Sequence, residues 1–176
     1  KRVSMSIKQQ AQQARNASLA LMALDGKTKN TALRAIAQAL KENKQKIFAV
    51  NKTDVSQAHL ASSLLKRLTI DDPKLHEMIR MIEDVAKLEE PCSKTLETIE
   101  LDKNLILEKV SVPLGVIGMI FESRPDALVQ IASLALKSGN AVILKGGSEA
   151  KHSNKMLAEL IHAASVSAGI PKGWLQ

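Results

Sequence analysis

The feature that most restricts how this chain can fold is a repeated switch of hydrophobic period between Val112 and Gln176. Val116 to Phe121 is a continuous apolar run of strand length. Asp126 or Ala127 then opens a helical pattern with Leu128, Ile131, Leu134 and Ala135 at three- and four-residue steps, ended by Gly139. Ala141 to Leu144 forms a second apolar run, and Gly146-Gly147 breaks it. A helix pattern follows to about Ala168, with Met156, Leu157, Leu160 and Ile161 inward. Gly169-Ile170-Pro171 ends that pattern, and Trp174-Leu175 begins a third strand. The order β-α-β-α-β implies parallel strands joined by right-handed crossovers, the opening of a doubly wound nucleotide-binding sheet.

The stretch before it has a different character. Residues 1–91 read as a helical amino-terminal region. Ser4 can cap a helix running to Leu24 and stopped by Asp25-Gly26. A second runs from Thr28 to Asn43 with Leu33, Ile36, Ala37 and Leu40 on one face. Short helical pieces cover Ile47 to Val50 and Asp54 to Leu68. Asp72-Pro73 is a start signal, an N-cap followed by proline at the first helical position. The helix it opens carries Leu75, Met78, Ile79, Ile82, Val85 and Leu88 at three- and four-residue steps, and Pro91 closes it. Residues 92–112 read as a hairpin: Thr95 to Leu101 and Leu105 to Val112 are β-prone, joined by Asp102-Lys103-Asn104. So exposed a ribbon needs something to cover its edges, and a subunit boundary is the expected place. Residues 113–176 are then an incomplete α/β unit.

Composition limits the function. Of 176 residues, 45% are hydrophobic but only 2% aromatic, so the core is aliphatic and base-stacking nucleic-acid modules are disfavoured. The net charge of +7 contains no run of five basic residues, and Lys41, Lys44 and Lys46 read as a solvated helix face. Neither a nucleic-acid nor a membrane partner is expected, and no apolar run reaches the roughly 20 residues of a membrane span. The single cysteine, Cys92, permits no internal disulfide and fits a reducing, cytoplasmic setting. The four histidines show no metal-ligand spacing. The chain does not begin with Met and stops as a strand begins, so both ends read as cuts.

In an open parallel sheet, ligands sit at the carboxyl ends of the strands. Two loops stand there: Phe121-Glu122-Ser123-Arg124-Pro125-Asp126 and Lys145-Gly146-Gly147-Ser148-Glu149. A Gly-x-Gly-x-x-Gly turn after the first strand is absent, and Lys145 occupies the place of the acidic residue that usually ends the second. A carboxylate there would repel a ribose 2′-phosphate, whereas Lys accepts it. Gly146 and Gly147 let backbone amides approach a ligand, or simply make a strand-to-helix turn. Arg124 offers a planar fork for a carboxylate or phosphate, or a salt bridge to Glu122 or Asp126. Asp126 also suits the N-cap of the next helix. Cys92 has Glu89 and Glu90 close by, which raises a thiol pKa and disqualifies it as a nucleophile.

Together these stretches resemble a known family. Val112 to Asp126, with its Glu-Ser-Arg-Pro, and Ser138 to Ala150, with its Gly-Asn and Lys-Gly-Gly, resemble the γ-glutamyl phosphate reductases (glutamate-5-semialdehyde dehydrogenases) of the aldehyde dehydrogenase superfamily. Asn51-Lys52-x-Asp54 and Arg67-Leu68-Thr69 are similar to that family's helical amino-terminal region. The resemblance implies a truncated aldehyde dehydrogenase-like fold and an oxidoreductase of proline biosynthesis. That enzyme reduces L-glutamyl 5-phosphate to L-glutamate 5-semialdehyde with NADPH through a cysteine thioester. It implies that the nucleophile lies downstream, so no residue here is catalytic. It assigns Lys145, Gly146, Gly147 and Ser148 to the cofactor and Arg124 to the substrate. A homo-oligomer, with glutamate 5-kinase as a partner, is the associated expectation. The reductase half of a bifunctional pyrroline-5-carboxylate synthase, or a non-catalytic nucleotide-binding fragment, are the alternatives.

Overall fold

The computed structural model describes residues 5–176, so the cap expected at Ser4 lies outside the described residues. Helix α1 spans Ile7–Met22 and is opened by Ser6, whose hydroxyl and backbone N–H exchange hydrogen bonds with Gln9 in a capping box. Asp25 does not merely stop α1. Its carboxylate accepts from the Thr28 N–H at 2.8 Å and caps α2, Gly26–Glu42, so Gly26 is the first helical residue. Helix α3, Lys44–Gln57, and helix α4, Ser62–Leu68, replace the pieces Ile47 to Val50 and Asp54 to Leu68 read from the sequence, with the break after Gln57. Helix α5, Asp72–Lys87, is capped by Asp71, which accepts from the Lys74 N–H at 2.9 Å. Asp72 thus sits one position later than expected, where its carboxylate pairs with Lys44 at 2.7 Å.

The hairpin pairs β1, Thr95–Asp102, with β2, Leu105–Val110, antiparallel. Asp102 is opposite Leu105, leaving a two-residue turn of Lys103 and Asn104 rather than three. Asn104 takes φ of 66°, tolerable for Asn because its short side chain bonds locally, and the register shifts between Glu100 and Asp102. Every residue of both strands is exposed.

Strand β3, Val116–Ile120, runs parallel to β4, Ala141–Lys145, in register from Val116 opposite Ala141 to Ile120 opposite Lys145. The expected third strand adds on the other side of β4: Val142 N–H donates to Trp174 O at 2.7 Å and Gln176 N–H to Val142 O at 3.0 Å. Helix α6, Pro125–Lys137, links β3 to β4, and α7, Lys151–Ser167, follows one 3-10 turn at Ser148–Ala150. Asp126 is not the cap of α6. Arg124 holds that position with φ −123° and ψ 95°, because the residue before proline is driven to extended backbone.

Helices α6 and α7 pack on each other, α2 lies against both and against α5, and α1 packs on β3 and β4. The core is aliphatic, as composition demanded: Leu33, Ile36 and Leu40 of α2 meet Leu75, Met78 and Ile82 of α5 and Leu136 of α6. Trp174 is fully buried and donates from its indole to Ser165 Oγ at 2.9 Å. The start of β3 is fixed by Asn140, whose Oδ1 accepts from the Gly115 N–H at 2.8 Å. Gly139, at φ +71°, closes α6 where a Cβ would stand 2.9 Å from the Pro113 ring. The Pro113-Leu114-Gly115 and Gly139-Asn140 pieces therefore meet as one joint.

Candidate functional site

The two loops read from the sequence come together at the carboxyl ends of β3 and β4. The Phe121 N–H donates to Lys145 O at 3.1 Å, extending the ladder into them. Across the gap, Ser123 Oγ donates to the Glu149 carboxylate. That bond holds the Glu149 carboxyl below the usual carboxylate range. Gly147 is needed for the closeness: a Cβ there would lie 2.0 Å from Ser123 Oγ and 2.9 Å from its N. At Gly146 a Cβ would meet Asn154 Nδ2 at 2.3 Å and the Phe121 ring at 2.9 Å. Both glycines are thus fixed by packing of protein on protein, an additional reason for them beyond ligand approach.

Lys145 is exposed at the end of β4. Besides a groove that Arg124 and Asp126 share with α5, two grooves border the loops. One, about 320 Å³, is lined by Leu60, Leu64, Arg67, Glu122, Ser123, Arg124, Gly147 and Glu149. The other, about 500 Å³, lies between the end of α3 and the start of α7 and includes Ser148, Lys151, His152 and His59. Arg124 and Gly147 therefore share a groove, Ser148 faces the second, and Lys145 lines neither. Arg124 is half exposed, with Nη2 3.0 Å from Asp126 Oδ2. The hydrogen bond and charge of Asp126 push the guanidinium pKa up further. The salt bridge to Asp126 expected from the sequence is thus present, and Arg124 also borders the groove.

Sequence reasoning missed what anchors the second loop. Asp54 of α3, 3% exposed, accepts from the N–H groups of His152 and Ser153 at 3.2 and 2.7 Å and from His152 Nδ1 at 2.7 Å. Burial alone would raise its carboxyl pKa, but the bonds from Ser153 and then His152 outweigh it and hold the value below normal. Asn51, one turn earlier, donates to Leu68 O and Ser153 Oγ and accepts from the Ile70 N–H. The available signal was only the Asn51-Lys52-x-Asp54 stretch itself, since α3 carries other polar residues on every side.

Cys92 lies elsewhere. Its thiol donates to Ser138 O at 3.2 Å, at the amino end of β4. Burial pushes its pKa up; Lys29 opposes this and Glu90 adds to it. The direction expected from the sequence holds, with burial as the larger cause.

Residues 3–176 match the model of the aldehyde dehydrogenase family. The chain is 51% identical over 174 residues to a γ-glutamyl phosphate reductase of Ruminiclostridium cellulolyticum, covering 97% of this chain and 40% of that protein. It is 49% identical to the one from Acetivibrio thermocellus, covering 98% and 41%. Among solved structures, the γ-glutamyl phosphate reductase of Thermotoga maritima superposes with a TM-score of 0.93 at 35% identity over 96% of this chain and 42% of its own. That of Saccharomyces cerevisiae gives 0.92 at 38%, over 98% and 46%. The chain thus spans about two-fifths of the length of these relatives, and its strands, loops and helical layer are theirs. It belongs to the aldehyde dehydrogenase family.

Proposed function

We propose that this chain is part of an enzyme that reduces L-glutamyl 5-phosphate to L-glutamate 5-semialdehyde with NADPH, releasing phosphate, in proline biosynthesis. The observation that carries it is 51% identity, along 97% of the chain, to a relative of that name. The reaction needs a thiolate to attack the acyl carbonyl with phosphate leaving, and a hydride to release the thioester as aldehyde while the thiolate departs. The nucleophile is assigned to a part of the protein beyond this chain. NADPH, when bound, supplies the hydride.

The residues present fit that cofactor. Lys145 puts a cation at the strand end, Ser148 three residues on is small and neutral, and Glu149 is drawn to Ser123. A 2′-phosphate therefore meets less opposing charge than a carboxylate at position 148 would give. Gly146 and Gly147 shape this loop, and Arg124 faces the anionic end of the substrate. The hairpin of β1 and β2 lies across a subunit boundary of a homo-oligomer. The cytoplasm is the compartment we assign to the enzyme as part of this reading. No helix among the described residues is long and apolar enough to cross a membrane.

Because acyl phosphates hydrolyse readily, the test couples the complete protein to glutamate 5-kinase, glutamate and ATP. NADPH oxidation that requires the kinase, matched by phosphate release, is the expected result. Oxidation no faster than without the acyl phosphate would sink the proposal.

A further inference from the structure

The 320 Å³ groove carries charges of both signs over an apolar floor. Leu60 and Leu64 form the floor, while Arg67 from α4 and Glu122 from the loop after β3 stand on the rim with Nη1 and Oε2 3.4 Å apart. Both side chains are more than half exposed, so the pair stabilises the fold little and exchanges partners at small cost. The backbone beneath is firm: Lys74 Nζ donates to Arg67 O at 2.6 Å.

We propose that Arg67 and Glu122 form the recognition pair for the amino-acid head of the substrate. This rests on the reading that the protein acts on γ-glutamyl phosphate. The α-carboxylate takes the Arg67 fork and the α-ammonium takes the Glu122 carboxylate, two contacts replacing the single one they make with each other. An α-amino acid presents its two charges on one carbon, so it can insert into a pair of opposite sign without rearranging the loop. The leucines meet its methylenes, and Arg124, across the same groove, is left for the phosphorylated end. Arg suits this better than Lys because a carboxylate accepts two parallel N–H bonds from it.

The test compares γ-glutamyl phosphate with glutaryl phosphate, which lacks the amino group, on the complete enzyme. Wild type should prefer the former in kcat/KM by about tenfold or more, the equivalent of one lost charged hydrogen bond. Glu122→Gln should narrow that preference to about twofold, and Arg67→Ala should raise the KM for both acyl phosphates by about tenfold, with the KM for NADPH held within about twofold. Arg67→Lys should recover part of the loss. A general disturbance of folding would lower both substrates and NADPH together and leave the preference intact, which overturns the assignment. So does an Arg67→Ala enzyme with unchanged KM for acyl phosphate. Wild type that turns over neither acyl phosphate overturns the functional reading itself.

Discussion

Three residues beyond Lys145, a hydroxymethyl group stands where a longer acidic side chain would reach toward the end of β4. Ser148 is exposed and borders the groove shared with Lys151 and His152. The neighbouring Glu149 carries a carboxylate that would oppose a cofactor phosphate, and its bond to Ser123 directs it to the other loop. Ser148→Glu in the complete enzyme is therefore expected to lower NADPH efficiency by about tenfold or more, with NADH affected much less, since roughly 1–3 kcal/mol of like-charge repulsion is at stake. Efficiencies for both cofactors at fixed salt measure it, and an unchanged ratio would place the 2′ position elsewhere. Chemistry at this scale was readable where it is local. Lys145 at a strand end and Arg124 held extended by Pro125 both follow from their immediate neighbours. The Ser123–Glu149 bond spans 26 residues and had no local signature. The inertness of Cys92 was inferred from adjacent acids, whereas burial, invisible in the sequence, dominates.

Between elements, α3 holds the start of α7, and so the far end of the loop after β4, through one buried carboxylate. The contact between Asp54 and Ser153 crosses 99 residues, which is why periodicity placed both helices yet could not dock them. The folded-state pKa of Asp54 is lowered, so its stabilisation is present above the unfolded value of about 3.9 and is lost as pH falls through the folded value. Asp54→Ala should lower stability at pH 7 by about 2–3 kcal/mol, the cost of losing charged bonds to two helix amides. Thermal unfolding of the complete protein from pH 7 to 3 checks this: the two midpoints should converge below about pH 4. A constant gap across that range would mean the carboxylate's charge is irrelevant. The hairpin was legible as a hairpin, but its turn is one residue shorter than expected because Asp102 pairs with Leu105. Ile99 and Leu107 are register partners on one face and are 42% and 50% exposed. If a neighbouring subunit covers that face, Leu107→Lys must bury a charge at the boundary, and the complete enzyme should shift toward smaller species. Light scattering after size-exclusion chromatography reads the mass, and an unchanged mass would remove the hairpin from the interface.

On the scale of the whole molecule, the sheet alternation fixed the fold class from the sequence because each strand and helix declares its own period. What the alternation could not show is how open one side is. β3 pairs only with β4 among the described residues, Ile120 is 85% exposed at its end, and Leu114 is 86% exposed just before it. The candidate site thus has a glycine-bearing loop after β4, an arginine-lined groove and an uncovered strand edge, but no cysteine among its residues. Cys92 is the single sulfhydryl in the chain, and it sits at the wrong end of the sheet. It contacts Ser138, before β4 begins, whereas both loops follow β4 and β3. At about 3.3 Å per residue, the length of β4 separates the thiol from Lys145 by roughly 16 Å, too far for attack on a substrate bound at the loops as proposed. Its raised pKa also keeps it protonated near neutral pH, so thiolate chemistry would emerge only above the ordinary thiol range. The isolated chain is therefore expected to show no acyl-phosphate-dependent oxidation of NADPH. In the complete enzyme, Cys92→Ser should leave the turnover number within about threefold, as substitutions away from special features do. Steady turnover by the isolated chain, or a hundredfold loss in a folded Cys92→Ser enzyme, would make Cys92 the nucleophile.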